Sequence, residues 1–255
     1  MTLELLDVPK KPRARKAPAK AGLWLPGATT VLRVQDAIYG SDALVNWAAR
    51  EAAIAALDNA LQGRDEAMSA AMAAVTTARD RGTRVHYGIE AMLRDEDHVP
   101  TEDTHPYWYG FAAFLVKERP EFIATERKVV NTTIGFGTTM DIVCRLRGKV
   151  AQVDVKSGSV KDTHVLQLAA GSMAERWDGD GGVERNRWHQ YRLGSGETLD
   201  PVPLERHYVL QLRQDGYALI EMEVGKAERD HFAYLVETYH RLKAWKNREK
   251  EEEAA

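Results

Sequence analysis

Two short β-strands joined by a tight turn are indicated by the stretch GTTMDIVCRLRGKVAQVDVKSG, residues 137–158. Apolar and β-branched residues fill both arms of this stretch, and the dipeptide Arg147-Gly148 separates them. If that dipeptide is the whole turn, Asp141 lies directly opposite Asp154. Side chains that face each other across antiparallel strands have Cβ atoms about 4.5–5.5 Å apart, so the sequence predicts two carboxylates close together on one sheet.

Such a pair of carboxylates needs a counter-charge. Asp141 and Asp154 stand among apolar residues, which indicates strands inside the sheet, where an unpaired charge is unfavourable. A divalent cation that prefers oxygen ligands, Mg²⁺ or Mn²⁺, would relieve the repulsion. The simpler alternative is that Lys156, on the same strand face as Asp154, pairs with one aspartate on a solvated strand. A three-residue turn would instead place Asp141 opposite Val155.

The rest of the chain predicts an α/β fold, with a mixed central β-sheet flanked by helices and a helical N-terminal part. Gly82 is expected to break or bend the helical region, and residues 177–204, rich in glycine and proline, are expected to form an extended loop. Apolar residues at helical spacing predict helices over 41–62, 65–80, 83–93, 106–118, 162–176 and 227–250. Segments rich in β-branched residues predict strands over 122–131, 138–146, 150–156, 207–213 and 217–224.

Two parts of the chain differ in composition. Residues 1–22 combine lysine, arginine and proline without apolar periodicity, which predicts a flexible basic tail. Residues 23–255 are predicted to form a single domain, helical over 23–118 and with a sheet core and C-terminal helix over 119–255. With 44% hydrophobic residues the chain is not disordered throughout.

The charge and cysteine content exclude several classes of protein. The 35 basic and 38 acidic residues give a net charge of −3, so any nucleic-acid binding has to use a local basic surface. Cys144 is the only cysteine, which excludes an internal disulfide or a four-cysteine iron–sulfur cluster and favours a reducing, cytoplasmic compartment. No apolar run approaches a membrane span, so no membrane partner is expected.

Several of these residues together resemble the PD-(D/E)xK nuclease superfamily. The nearest branch is the exonuclease group that includes the RecB nuclease domain and Cas4, whose members carry a histidine in the setting Gly-Thr-x-Val-His. Here that setting is Gly82-Thr83-Arg84-Val85-His86, and the resemblance covers residues 82–170. The other matching motifs are Glu126, Gly137-Thr138 through Asp141, Asp154-Val155-Lys156-Ser157-Gly158, and Gln167.

The resemblance implies a restriction-endonuclease-like core and a role for each motif residue. Lys156 would position the attacking water or help to deprotonate it, Glu126 would lie near the metal, and Gln167 would orient the lysine or contact DNA. The tyrosine that the branch carries four residues after the glutamine is Gly171 here, and the iron–sulfur cysteines of Cas4 are missing. The implied ligands of Mg²⁺ or Mn²⁺ are His86, Asp141, Asp154 and the backbone carbonyl of Val155.

The glycine-rich region also predicts a DNA contact. Aromatic residues interleaved with arginines suit single-stranded DNA, because bases stack on rings and arginines follow the phosphates. The alternative is a surface loop whose aromatic residues pack onto the sheet. His164, three residues before Gln167, is a further candidate for a substrate contact. The candidates in the glycine-rich region are Arg176, Trp177, Arg185, Arg187, Trp188, Tyr191 and Arg192.

The resulting hypothesis is a metal-dependent DNA exonuclease that acts in recombination, repair or phage DNA processing. Its expected partners are DNA ends or single-stranded segments and a recombination or helicase protein, in the cytoplasm of a bacterium or a phage-infected host. One alternative is a structure-specific or restriction-like endonuclease. Another is a nuclease-fold DNA-binding subunit that has lost activity, against which the intact Asp141, Asp154 and Lys156 argue.

Overall fold

A computed structural model describes residues 24–39, 64–94 and 96–253. The predicted tail over 1–22 and the predicted helix over 41–62 lie outside the described residues. No helix within the described ranges is long and apolar enough to cross a membrane.

Five helices occur in the described part of the chain. The third begins with Pro106 in its first turn, where the missing N–H has no partner to lose, and ends at Arg119, whose N–H donates to the Leu115 carbonyl. The helices are α1 (Ala28–Tyr39), α2 (Arg64–Leu93), α3 (His105–Glu118), α4 (His164–Ser172) and α5 (Lys226–Glu253).

Within the described residues, nine strands form one large sheet and one small one. The large sheet has the order β7-β4-β1-β2-β3-β8-β9, in which only β3 and β8 are parallel, while β5 and β6 form a separate hairpin. This mixed sheet flanked by helices confirms the predicted α/β class. The strands are β1 (Glu121–Asn131), β2 (Phe136–Leu146), β3 (Lys149–Lys156), β4 (Arg176–Asp180), β5 (Val183–Arg185), β6 (Tyr191–Leu193), β7 (Glu197–Leu199), β8 (Arg206–Arg213) and β9 (Gly216–Glu221).

The β2–β3 hairpin has the register expected from its two-residue turn. Ile142 pairs with Val153, and the ladder continues in step to the turn. Arg147 and Gly148 both have positive φ, 51° and 78°, as a type I′ turn requires. The same register, continued one position beyond the Ile142 pair, brings Asp141 across from Asp154, and the alternative with a three-residue turn is therefore wrong.

Helices cover the sheet from both faces. Phe111 and Phe114 of α3 pack with Val85 of α2 against Ile142 and neighbouring apolar residues of the sheet. A second cluster joins α1, α4 and α5 to the start of β2. Because strand side chains alternate, β3 turns its odd-numbered valines toward α2 and α3, and its even-numbered polar residues toward α4.

Two sequence predictions about the fold are wrong. Helix α2 runs unbroken through Gly82, and the Thr83 hydroxyl donates to the Arg79 carbonyl instead of capping a new helix. A single glycine costs a long helix only about 1 kcal/mol, which packing can outweigh. Residues 177–204 are not a loop throughout, because β4 and β7 extend the main sheet and β5–β6 folds over it. Strands this short carry too few residues to display a period.

Candidate metal centre

A cleft of about 600 Å³ opens where α2, the central strands, α4 and the β5–β6 hairpin come together. Most of the residues singled out by the PD-(D/E)xK resemblance line it, although they come from distant parts of the chain. Among the lining residues are His86, Glu126, Asp141, Lys156, Gln167, Arg185, His189 and Tyr191.

Three potential ligands meet in this cleft. His86 of α2, Glu126 of β1 and Asp141 of β2 each offer one ligand atom, and these atoms all lie within 4.8 Å of one another. His86 Nδ1 is 3.7 Å from Asp141 Oδ2. Two carboxylates and an imidazole are a suitable donor set for Mn²⁺ and, through the oxygens, for Mg²⁺. The residues present therefore fit the cation that the resemblance implies.

Glu126 adopts an unusual backbone conformation at this point of the sheet. Its φ is 45°, although it lies inside a strand whose neighbours Thr125 and Arg127 pair regularly with Ile142 and Met140. A left-handed conformation at a non-glycine residue is unfavourable by roughly 1–3 kcal/mol and persists only where surrounding structure enforces it. The register places Glu126 across from Asp141, so the strain lies at the carboxylate cluster itself.

The surroundings of Glu126 favour the neutral form of its carboxyl group. Burial, followed by the nearby carboxylates of Asp141 and Glu90, raises the pKa of Glu126 to about 8, and Arg185 and Arg94 only partly oppose this. A carboxyl group in this state binds either a proton or a cation. A divalent ion at the cluster would replace the proton on Glu126.

Asp141 is oriented by the backbone of the neighbouring strand. Its Oδ2 accepts a hydrogen bond of 2.7 Å from the Val155 N–H. This bond fixes the carboxylate relative to β3 and links it to the strand that carries Lys156. For Val155, predicted as a carbonyl ligand, the amide contact to Asp141 is the interaction observed, and the carbonyl role stays a prediction.

Asp154 and Lys156 form a close ion pair beside the cluster. Lys156 Nζ lies 2.8 Å from Asp154 Oδ1 and 2.7 Å from Oδ2. The Asp154 side chain is only 5% exposed, and burial raises its pKa to about 6 despite the lysine. Burial works against the charge on Lys156, but Asp154, Asp141 and Glu126 outweigh it and raise the lysine pKa. The lysine is therefore protonated at neutral pH.

This ion pair bears on two sequence interpretations. Lys156 does pair with one aspartate, as the simpler alternative held, but the pair is buried and not on a solvated strand. Asp154 is not in the group of three potential ligands, and its Oδ1 accepts a hydrogen bond from Lys156 Nζ. Its role as a metal ligand stays a prediction.

No family model matches this sequence, and a search of curated proteins finds no match either. The functional argument therefore depends on the cleft itself. What the cleft brings together is an incomplete cation site and a half-buried lysine, within one volume that is open to solvent.

The predicted DNA-contacting residues divide into two groups. Trp177 is only 3% exposed and packs with Val129 and Met140, so the prediction that it stacks on DNA is wrong. The reason is that β4 joins the sheet beside β1, which buries its central side chain. Tyr191 is also buried, with its hydroxyl 3.0 Å from that of Thr139.

The arginines of this region are likewise in different environments. Arg176 pairs with Asp200, and Arg192 pairs with Glu184. Arg185 lines the cleft, while Arg187 and Trp188 lie at the exposed end of the β5–β6 hairpin. Of the predicted DNA-contacting residues, Arg185, Arg187 and Trp188 are therefore the ones that are accessible and have no acidic partner among the described residues.

The remaining candidate, His164, is not among the residues that line the cleft. Its Nδ1 accepts a hydrogen bond of 3.2 Å from the Lys161 N–H. Burial, with smaller effects from Lys156 and Lys161, lowers its pKa to about 4, so it is neutral at pH 7. The chain uses it to order the start of α4.

Among the cleft residues that sequence reasoning missed are Tyr87, Glu90 and His189. Glu90 was within reach, since it follows His86 by four residues on a helix and so shares its face. Tyr87 lies beside His86, but nothing in the sequence distinguished it from a core aromatic residue. His189 lies in a hairpin that was interpreted as loop, which removed any basis for placing it.

Proposed function

We propose that this protein is a metal-dependent deoxyribonuclease that hydrolyses phosphodiester bonds in the cleft. The single observation that carries the proposal is the convergence of His86, Glu126 and Asp141, with Lys156 lining the same volume. Cation ligands and a lysine in one open cleft are the parts that hydrolysis of a charged phosphodiester needs.

Different residues of the cleft would have different roles in this reaction. A divalent cation bound by His86, Glu126 and Asp141 would neutralise phosphate charge and lower the pKa of a bound water. The Val155 N–H keeps the Asp141 carboxylate in place for this purpose. Water oxygen adds to phosphorus, the bond to the 3′ oxygen breaks, and that oxygen takes a proton, which leaves a 5′-phosphate and a 3′-hydroxyl.

Lys156 acts as a charge and not as a base. Its raised pKa keeps the ammonium protonated, which favours positioning of the water or of a phosphate oxygen over removal of a proton. Asp154 holds the ammonium in place through the hydrogen bond that Lys156 Nζ donates to Oδ1 and through the ion pair with the carboxylate.

Within this class we propose exonuclease action on DNA ends, in recombination, repair or phage DNA processing. The support is the resemblance of the motif set to the RecB-like branch. An endonuclease and an inactive DNA-binding subunit are the competing outcomes, and one assay separates them.

The assay uses the full chain with end-labelled linear DNA and with closed circular DNA, each in Mg²⁺, Mn²⁺ or EDTA. Loss of nucleotides from linear DNA only, in metal and not in EDTA, is the expected result. Cutting of circles identifies an endonuclease. Binding without cutting under every metal condition would refute the enzyme proposal and favour the inactive subunit.

A further inference from the structure

The end of the β5–β6 hairpin is a fixed structure. Asn186 Oδ1 accepts hydrogen bonds of 3.0 Å from the N–H groups of both Trp188 and Gln190. A Cβ at Gly137 would overlap Tyr191, so the glycine lets the hairpin pack directly on β2. The residues at this end are therefore held at a defined position relative to the cleft.

Trp188 stands at this end with its side chain open to solvent. It is 63% exposed, although large aromatic residues are usually buried. The Arg187 guanidinium lies over the indole, 4.2 Å from the ring centre. This cation–π contact orients the ring and leaves most of its surface accessible. The arrangement is that of a stacking platform for a flat ligand.

Tyr87 forms a second exposed ring, and this one lines the cleft. It follows His86 on α2 and is 58% exposed. Its ring meets the edge of His98, which in turn stacks on Trp108, both at 5.2 Å between ring centres. The tyrosine ring is thus supported from behind and presented to the cleft.

Positive charge accompanies the ring on the hairpin. Arg185 lines the cleft, and Arg187 lies against the Trp188 ring. Within the described ranges, Arg185 and Arg187 form no ion pair with a carboxylate. Guanidinium groups without an acidic partner are available to phosphates.

We propose that Tyr87, which lines the cleft, and Trp188, which precedes the cleft-lining His189, stack unpaired nucleobases, so that the substrate class is single-stranded DNA, including the single-stranded ends of duplexes. The inference rests on the proposed nuclease function and adds its substrate class. In a duplex each base face is covered by its neighbours, whereas a single strand presents its bases to aromatic side chains. A cleft of about 600 Å³ suits a short piece of single strand.

The test measures binding without cleavage. Affinity for a labelled single-stranded oligonucleotide of mixed sequence and for a blunt duplex of equal length is determined by fluorescence anisotropy in EDTA, with the full chain. We expect Trp188→Ala to weaken single-strand binding by about 5- to 100-fold, as stacking of one base on an aromatic residue requires, and to change duplex binding by less than about twofold.

Matched variants make this result specific. Trp188→Phe keeps an aromatic ring and is expected to retain most of the affinity for the single strand. Tyr87→Ala is expected to lower that affinity, as Trp188→Ala does. Trp245→Ala serves as the control, because Trp245 is a comparably exposed tryptophan, at 52%, but lies on α5 and not on the β5–β6 hairpin. Its affinity for both DNA forms should equal that of the unmodified protein.

Several outcomes would overturn the proposal. These are unchanged single-strand affinity in Trp188→Ala, an equal loss for single strand and duplex, or tighter binding of duplex by the unmodified protein. The nuclease proposal is tested separately. Tight single-strand binding in EDTA without any metal-dependent cleavage would refute the nuclease activity and support the binding site. If Trp188→Ala cleaved single strands at the rate of the unmodified protein, the stacking site would be refuted and the nuclease proposal would stand.

Discussion

Asp154 on β3 and the pair of Glu126 and Asp141 on β1 and β2 occupy neighbouring positions in one sheet, yet their charges are balanced in different ways. Lys156 neutralises Asp154 from two residues along the same strand. No lysine or arginine in the described part of the chain makes an ion pair with Glu126 or Asp141. One carboxylate is therefore balanced within the chain, and we propose that the other two are balanced by a cation from solution.

The largest expected effect is on cleavage, and it should follow from changes at the Glu126 and Asp141 pair and from changes at the Asp154–Lys156 pair. We predict that Asp141→Asn and Lys156→Met each reduce the rate by at least about 100-fold, the scale of removing one group that stabilises transition-state charge. Initial rates on end-labelled linear DNA provide the measurement. Asp200→Asn, which alters an exposed ion pair with Arg176, is the matched control and should keep full activity.

The second prediction separates the two regions by stability. Lys156→Met leaves Asp154 buried without its cation, and removal of one partner from a buried ion pair typically lowers the free energy of unfolding by about 3–5 kcal/mol. Urea denaturation in EDTA would measure the change. Addition of Asp154→Asn to the same variant should recover part of the loss. A Lys156→Met protein that unfolds at the same urea concentration as the unmodified protein would show that the pair is not balanced within the chain.

The third prediction concerns Glu126. Removal of its charge should stabilise the metal-free protein, whereas removal of the Lys156 charge should destabilise it. The pKa of this carboxyl is about 8 in the folded protein and near 4.5 in the unfolded chain, so the folded state holds the extra proton between these values. Metal-free stability must then fall as the pH rises from about 5 to 8, by up to a few kcal/mol. Asp154, with a pKa of about 6, adds to the fall at the acidic end.

Glu126→Gln should flatten most of this pH dependence and raise metal-free stability at about pH 8, because the amide carries no charge to be repelled. Urea unfolding in EDTA at several pH values is the measurement. The same variant should lose cleavage, since stability and metal binding place opposite demands on this side chain. An unchanged slope in Glu126→Gln would mean that the pH dependence arises elsewhere.

The smallest predicted effect is on the helix that supplies His86. An added Cβ at Gly82 meets only Ser157 Oγ, at 3.6 Å, so Gly82→Ala should raise the free energy of unfolding by about 0.5–1 kcal/mol without changing cleavage. If Gly82 were instead a hinge that brings His86 to the carboxylates, the variant would gain stability and lose activity. Melting temperature and cleavage rate together decide between the two.

The sequence predicted the β2–β3 hairpin because its information is local. A two-residue turn fixes the register, and alternation puts Asp154 and Lys156 on one face. The approach of Glu126 to Asp141 depends on pairing between β1 and β2 and on one left-handed residue, and only the family resemblance pointed to it. Burial of Trp177 follows from a tertiary contact that no periodicity in a short strand reveals.

The central claim is that Glu126, Asp141 and His86 bind a divalent cation while Asp154 serves Lys156. Calorimetric titration of metal-free protein with Mn²⁺ tests it most directly, in the unmodified protein and in Asp141→Asn, Asp154→Asn and Asp200→Asn. The account predicts binding with proton release near pH 7 in the unmodified protein, its loss in Asp141→Asn, and its persistence in both Asp154→Asn and Asp200→Asn. Equal Mn²⁺ affinity in Asp141→Asn and the unmodified protein would contradict it.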